Sequence, residues 1–330
     1  MSPDDDRLAW DGLVALIRDG DWWQPWRLPP DRVETAHAPD LAIRARMPAG
    51  VRFAVRTDAV RVAIVLDGDA ESAPVDVLVE GKRTQRLAVV PGHSVVEAIL
   101  PPGLKSMELW LPHVGQTRIG VLTFTGQTDI VPAPSGGPRW ITYGSSITQC
   151  RTANGPSETW PAVVTRQYAW RLTCLGFGGE CHLDPVVART IRDATADLIT
   201  LCLGINVYEL ATFSPRTFAS AVSGFIETVR DGHPDVPLAV ITPIASPDRE
   251  RRQNLVGMTL EDVRNGVVAA VETLAQLGDE NLHLIDGREL LGAHEGNLLH
   301  DGLHPSADGY RAIATRIAPR LERALRNQPP

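Results

Sequence analysis

The sequence predicts an α/β protein: a three-layer α/β/α domain built on a five-stranded parallel sheet, preceded by an all-β sandwich. Three observations carry this. After residue 138, five short apolar runs alternate with amphipathic stretches, the rhythm of a parallel sheet covered on both faces. Between residues 42 and 126, short strand-like runs follow one another with turns every ten residues or so, as in a β-sandwich. Between the two lies Val131-Pro132-Ala133-Pro134-Ser135-Gly136-Gly137-Pro138, whose Pro and Gly content suits a connector. The expected organisation is a β-sandwich domain over 1–130, a linker over 131–138 and an α/β domain over 139–330.

In chain order, residues 7–18 alternate apolar and polar side chains at near-helical spacing, and a short helix is expected there. The cluster Trp22-Trp23-Gln24-Pro25-Trp26 reads as large apolar side chains buried against the sandwich or between domains; stacking on a sugar ring is the sharper alternative. Val51–Arg56 alternates apolar and mostly basic residues, the period of a half-buried strand. Arg61–Leu66 is a second run, closed by the turn Asp67-Gly68-Asp69. Val75–Val79 leads into Glu80-Gly81-Lys82, a hairpin signal. Ser106–Leu111 and Ile119–Phe124 complete the strand-rich part. His37, His93 and His113, scattered through it, read as ordinary surface or turn residues.

Beyond the linker, the strand expectations are Trp140–Tyr143, Leu172–Leu175, Leu198–Leu203, Leu238–Thr242 and Leu282–Ile285. Helical stretches fall near 157–170, 184–195, 214–230 and 259–277, with a last one over 307–326.

At 330 residues, with 43% hydrophobic and 22% charged side chains, the chain has the profile of a globular protein of roughly two domains. A net charge of −8 and the lack of a long basic run argue against a nucleic-acid partner. The start, Met1-Ser2-Pro3-Asp4-Asp5-Asp6, lacks the basic and apolar parts of a secretory signal, and no apolar run reaches membrane-spanning length. Cys150, Cys174, Cys181 and Cys202 show no Cys-x-x-Cys spacing, so free thiols in the cytoplasm are expected rather than a metal site.

In an open parallel sheet, sites form at the carboxyl ends of strands. Those ends carry Gly144-Ser145-Ser146, Gly176-Phe177-Gly178-Gly179-Glu180 and Gly204-Ile205-Asn206-Val207, and the segment after the fifth run reaches Asp301-Gly302-Leu303-His304. A serine hydroxyl needs an adjacent base to act as a nucleophile, most often histidine. Asp301, three residues before His304, can fix the imidazole tautomer and stabilise the imidazolium. The oxyanion of an acyl-transfer intermediate needs aimed donors. The Ser146 N–H, a backbone N–H at Gly179 (with Gly178 as competitor) and the Asn206 side-chain amide are the natural set. Asp301 also suits a helix cap, and Asn206 a turn.

In order and spacing, these blocks resemble the SGNH/GDSL hydrolases over residues 139–326. The resemblance implies a flavodoxin-like catalytic domain with Ser146 as nucleophile, Gly179 and Asn206 as oxyanion donors, and Asp301 with His304 as the dyad. The preceding sandwich is similar to the jelly-roll-like accessory domain on one branch of that family. Trp160-Pro161, Gly204-Ile205-Asn206-Val207-Tyr208 and Ser246-Pro247-Asp248-Arg249-Glu250 also resemble that branch. Two positions depart from the family pattern: Ser145 stands where an aspartate is usual, and Val207 where one is frequent. Neither removes a group that performs chemistry.

The expected activity is hydrolysis of a small acyl ester through an acyl-enzyme, with no metal and no cofactor. The alternative is an acyltransferase that uses the same Ser-His-Asp machinery to pass the acyl group to an alcohol in secondary metabolism. A reading of a different class makes the sandwich a carbohydrate- or ligand-binding module beside an inactive hydrolase scaffold. Cys181, His182, Trp160 and Tyr208 are candidates for the pocket wall. The partners expected are an acyl ester and an acceptor alcohol, with no membrane.

Overall fold

The computed structural model describes residues 1–127, 129–133 and 136–326, so Pro134 and Ser135 of the predicted linker, and residues 327–330, lie outside the described residues. Two compact units emerge. The first comprises Met1–Glu34, Ala38–Gly137 and Ala153–Cys174; the second comprises Thr35–His37, Pro138–Thr152 and Leu175–Pro330.

The first unit is built from β1 (Ala9–Asp11), β2 (Ala15–Asp19), β3 (Trp22–Trp26), α1 (Pro39–Ala45), β4 (Arg52–Thr57), β5 (Arg61–Gly68), β6 (Val75–Val79), β7 (Lys82–Leu87), β8 (Gly92–Ile99), β9 (Lys105–Trp110), β10 (Thr117–Thr125) and β11 (Ile130–Pro132). One sheet runs β1-β4-β9-β6-β7 with β11 also on β4; the other runs β2-β3-β10-β5-β8. The recorded pairings in both are antiparallel. Along β5, Val62, Ile64 and Leu66 are buried while Arg61, Ala63 and Val65 are not, the period-two pattern of a strand with one covered face. These side chains join Phe53, Val55, Val77, Met107, Leu109, Ile119 and Leu122 in one apolar core. The sandwich expected from short strands and frequent turns is therefore present.

The opening segment is a correction. Instead of a helix over 7–18 there are two strands, β1 paired with β4 and β2 paired with β3. Between them Gly12 has a φ of 88°, and a Cβ there would lie 2.5 Å from the Gly50 carbonyl oxygen, so the chain turns where a helix would have to continue. The tryptophan cluster forms β3. Trp23 is buried in the core, while Trp22 and Trp26 are half-buried, with Arg118 and Arg46 lying over their rings at 5.6 and 5.1 Å. The first part of the predicted linker is also structured, since β11 pairs with β4.

The α/β part runs β12 (Arg139–Gly144), α2 (Ser146–Gln149), α3 (Trp160–Tyr168), β13 (Arg171–Gly176), α4 (Pro185–Asp193), β14 (Leu198–Cys202), α5 (Ile205–Leu210), α6 (Pro215–Arg230), β15 (Leu238–Ile241), α7 (Leu260–Gln276), β16 (Leu282–Ile285) and α8 (Ala307–Arg326). The sheet order is β13-β12-β14-β15-β16. Parallel registers include Ile141↔Ile199, Leu201↔Val240 and Val240↔Leu284. Leu238, Ala239, Val240 and Ile241 are all buried, which is why these strands read as continuous apolar runs rather than alternating ones. The long helices carry clear start signals: Thr259 and Asp262 form a reciprocal cap on α7, and on α6 the Ser214 N–H donates to Thr217 Oγ1.

Counted from β12, the strand order is 2-1-3-4-5. In sheets of this order, the crevice for a ligand opens where the winding reverses, between the first and third strands. Those are β12 and β14, the strands that lead into Ser146 and Asn206.

Candidate active site

Ser146 is the first residue of α2, directly after β12, and is 8% exposed. The helix is capped by Ser145, whose Oγ accepts the Ile147 N–H at 3.2 Å. This explains the departure at position 145: the site asks for a short side-chain acceptor, and serine meets that need as aspartate does. As the first residue of a helix, Ser146 has no intrahelical acceptor for its N–H. Among the described residues that N–H takes no other partner.

The Ser146 Oγ lies 2.8 Å from the Nε2 of His304. His304 sits on the connection between β16 and α8, in a tight turn that Asp301 shapes. One carboxylate oxygen of Asp301 accepts the N–H of Leu303 at 3.1 Å and of His304 at 2.7 Å; the other lies 2.7 Å from His304 Nδ1. An ionised carboxylate only accepts, so Nδ1 carries the proton and Nε2 is left to accept from the serine hydroxyl. Partial burial works against the charge on Asp301. The His304 backbone N–H and imidazole, with the Leu303 N–H, outweigh it and hold the carboxyl down to about 2.

The glycine-rich turn after β13 separates the two competing glycines. Gly178 donates its N–H to Gln149 Oε1 at 2.8 Å and is thereby occupied. Gly179 has a φ of 81°, suited to glycine, and among the described residues its N–H has no partner. Its carbonyl lies 2.8 Å from His182 Nε2, while His182 Nδ1 lies 2.8 Å from Thr212 Oγ1. Asn206, 7% exposed, accepts the Cys181 N–H on its Oδ1 at 3.1 Å. That bond fixes which way the amide faces and leaves its NH₂ without a partner among the described residues. The second unit therefore brings together a serine–histidine–aspartate chain and three donors, on Ser146, Gly179 and Asn206, that no group among the described residues uses.

The remaining residues singled out from the sequence lie elsewhere. Cys181 is 1% exposed, and burial pushes its thiol up. Tyr208 is 2% exposed and donates its hydroxyl to the Arg252 carbonyl at 2.8 Å, anchoring the loop after β15. Trp160 is buried at the start of α3, within the stretch that clusters with the first unit. Of the four, His182 touches Gly179 and Cys181 touches Asn206, through its backbone N–H. Gln149 and Thr212 escaped sequence reasoning. Gln149 stands three residues after the serine on the same helix, the one signal that could have raised it. Among the described residues no group of three or more His, Cys, Asp or Glu is arranged to hold a metal ion.

The pattern of the GDSL-like Lipase/Acylhydrolase family matches residues 142–312, and that of the SsfX3 N-terminal domain matches residues 8–119. No curated protein sequence matches the chain. Among solved structures, the chain is similar to the salicylyl-acyltransferase SsfX3 from a tetracycline biosynthetic pathway, at 30% identity and a TM-score of 0.91, covering 100% of this chain and 98% of that one. It shares its fold with a Bacteroides ovatus ATCC 8483 protein described as a GDSL-like lipase, at 20% identity and a TM-score of 0.76 over 97% and 96% of the two chains. It also shares its fold with a family two carbohydrate esterase from Cellvibrio japonicus, at 15% identity and a TM-score of 0.71 over 99% and 97%. A capped serine after the first strand, a dyad after the fifth, and a pattern match spanning both make this chain a member of the GDSL-like lipase/acylhydrolase family.

Proposed function

We propose that the protein cleaves a small acyl ester through an acyl-enzyme on Ser146. The observation that carries this reading is the unbroken chain from Ser146 Oγ through His304 to Asp301, at 2.8 and 2.7 Å. Ser146 Oγ attacks the ester carbonyl as His304 Nε2 takes its proton. The Ser146 N–H, the Gly179 N–H and the Asn206 amide receive the oxyanion; each such donor is worth roughly 2.7–4 kcal/mol in the transition state. The imidazolium, stabilised by Asp301, returns the proton to the departing alkoxide, and an acyl-serine remains. Water activated by His304 then releases the acid. The cytoplasm goes with this reading, since Cys150, Cys174, Cys181 and Cys202 all stand outside disulfides among the described residues.

One observation favours a second reading, transfer to an alcohol: the likeness to a salicylyl-acyltransferase extends over the whole chain, including the N-terminal region. The same residues serve both reactions, and only the second nucleophile differs.

Turnover of p-nitrophenyl acetate, butyrate and salicylate tests the first reading. Wild type should hydrolyse at least one of them, and Ser146→Ala should fall to background; equal rates in the two proteins would remove the enzyme reading. Fluorophosphonate labelling should vanish in Ser146→Ala and persist in Ser145→Ala, and the reverse would move the nucleophile. Mass spectrometry of products formed with added alcohols separates the two acceptors.

A further inference from the structure

The block Ser246-Pro247-Asp248-Arg249-Glu250 follows β15 and takes no part in the chemistry above. Ser246 is 1% exposed, and its Oγ donates to the Gly302 carbonyl at 2.8 Å. Gly302 lies inside the turn between Asp301 and His304, so a side chain from a different loop grips the turn that carries the histidine. The direction of the bond is set, because Arg249 Nη1 donates to the same Oγ at 3.2 Å and a guanidinium cannot accept. The hydroxyl proton is left for Gly302.

Ser246 is itself anchored. Its N–H donates to Glu250 Oε1 at 3.1 Å, and Glu250 receives Nη1 and Nη2 of Arg264 at 3.0 and 3.1 Å. Arg264 springs from α7, is 2% exposed, and donates its Nε to the Pro243 carbonyl at 3.3 Å. A partly buried, charge-assisted network thus runs from a long helix to the middle of the Asp301–His304 turn.

Such a brace has a definite task here. The turn belongs to no helix or strand, and the bonds Asp301 makes to Leu303 and His304 fix its internal shape only. They do not set its distance from Ser146. Among the described residues, two side chains from other segments bond to its backbone: Thr152, whose Oγ1 donates to the Pro305 carbonyl at 2.5 Å, and Ser246.

We propose that Ser246 is a positioning residue that holds His304 within reach of Ser146, with Glu250 and Arg264 as its anchor. This rests on the proposed role of His304 as base.

In p-nitrophenyl acetate hydrolysis, Ser246→Ala should lower kcat by about 10- to 100-fold with KM unchanged, since misplacing a catalytic group by about 1 Å costs on that order. Ser246→Cys, close in size but a weak donor, should fall between wild type and Ser246→Ala; if the alanine variant does not fold, the cysteine variant carries the comparison. The same substitution added to His304→Ala should remove no further activity, because Ser246 acts only through His304. Wild-type kcat in a folded Ser246 variant would overturn the proposal, as would an equal loss in the His304→Ala background. Full activity in His304→Ala alone would instead overturn the base assignment, so the two failures are distinguishable.

Discussion

Asp301 serves two purposes with one carboxylate. Its bonds to the Leu303 and His304 N–H groups shape the turn, and its bond to His304 Nδ1 sets the tautomer the proposed reaction needs. Asparagine at this position could still accept the backbone N–H groups but would supply no charge and could impose the wrong tautomer. Asp301→Asn is expected to lower kcat by about 10⁴-fold, the scale of a triad carboxylate replaced by its amide, with KM near wild type in p-nitrophenyl ester assays. The sign of the pH effect on stability follows from the lowered carboxyl, held at about 2 against an ordinary 3.8. A depressed acid contributes stability above its ordinary value and loses it as pH falls toward the folded value. The gap in urea midpoint between wild type and Asp301→Asn should therefore close as pH is lowered from 5 to 2. A gap that widens would contradict the assignment.

The helix of the proposed nucleophile, α2, is only four residues long, and its cap carries a large share of its definition. Ser145→Ala removes the acceptor for the Ile147 N–H and should lower unfolding free energy by about 1 kcal/mol in chemical denaturation. Ser146 Oγ and His304 remain, so fluorophosphonate labelling should proceed. Short elements such as this one resist sequence reading because a single cap, not a periodic pattern, decides them. The five parallel strands were legible for the opposite reason: burial on both faces makes each an apolar run between amphipathic helices. Ser146, Asn206, Asp301 and His304 could be picked out because each follows such a run at a fixed place in the topology. Gly179 rather than Gly178 follows from the family resemblance; the structure adds a physical reason that no spacing carries, Gln149 occupying the Gly178 N–H. The strands β1 and β2 were read as a helix because their apolar residues fall at near-helical spacing; only their partners β4 and β3 reveal them. The loop network of Ser246, Glu250 and Arg264 was visible as a motif but had no stated purpose until Gly302 appeared as its acceptor.

At the scale of the whole molecule, a Pro- and Gly-rich connector is a natural place to cut, yet the contacts of the chain do not divide there. Residues Ala153–Cys174 follow the connector in sequence and cluster with the first unit. The reason lies in two acidic side chains of that unit. Asp76, 0% exposed, accepts the N–H and Oγ of Ser157 at 3.0 and 2.7 Å, in addition to Arg86 at 2.7 Å. Asp11, 7% exposed, accepts Arg171 Nε at 2.8 Å, and Arg52 Nη2 donates to the Trp170 carbonyl at 3.3 Å. No shift in composition marks this stretch, because hydrogen bonds to distant carboxylates leave no periodic trace. A fragment of residues 139–330 keeps Ser146, His304 and Asp301 but loses every one of these partners. Each buried polar group left without its partner costs about 1–3 kcal/mol, and several such losses are a large fraction of the stability of an ordinary domain. The fragment is expected to show a thermal midpoint more than 10 °C below that of the full chain, or no cooperative transition, by circular dichroism. In the full chain, Ser157→Ala should give a smaller loss of about 1–3 kcal/mol, since Asp76 keeps Arg86 and the Ser157 N–H. A fragment as stable as the full chain would show that the Asp76 and Asp11 bonds contribute little, and that the connector is the true boundary of the catalytic domain.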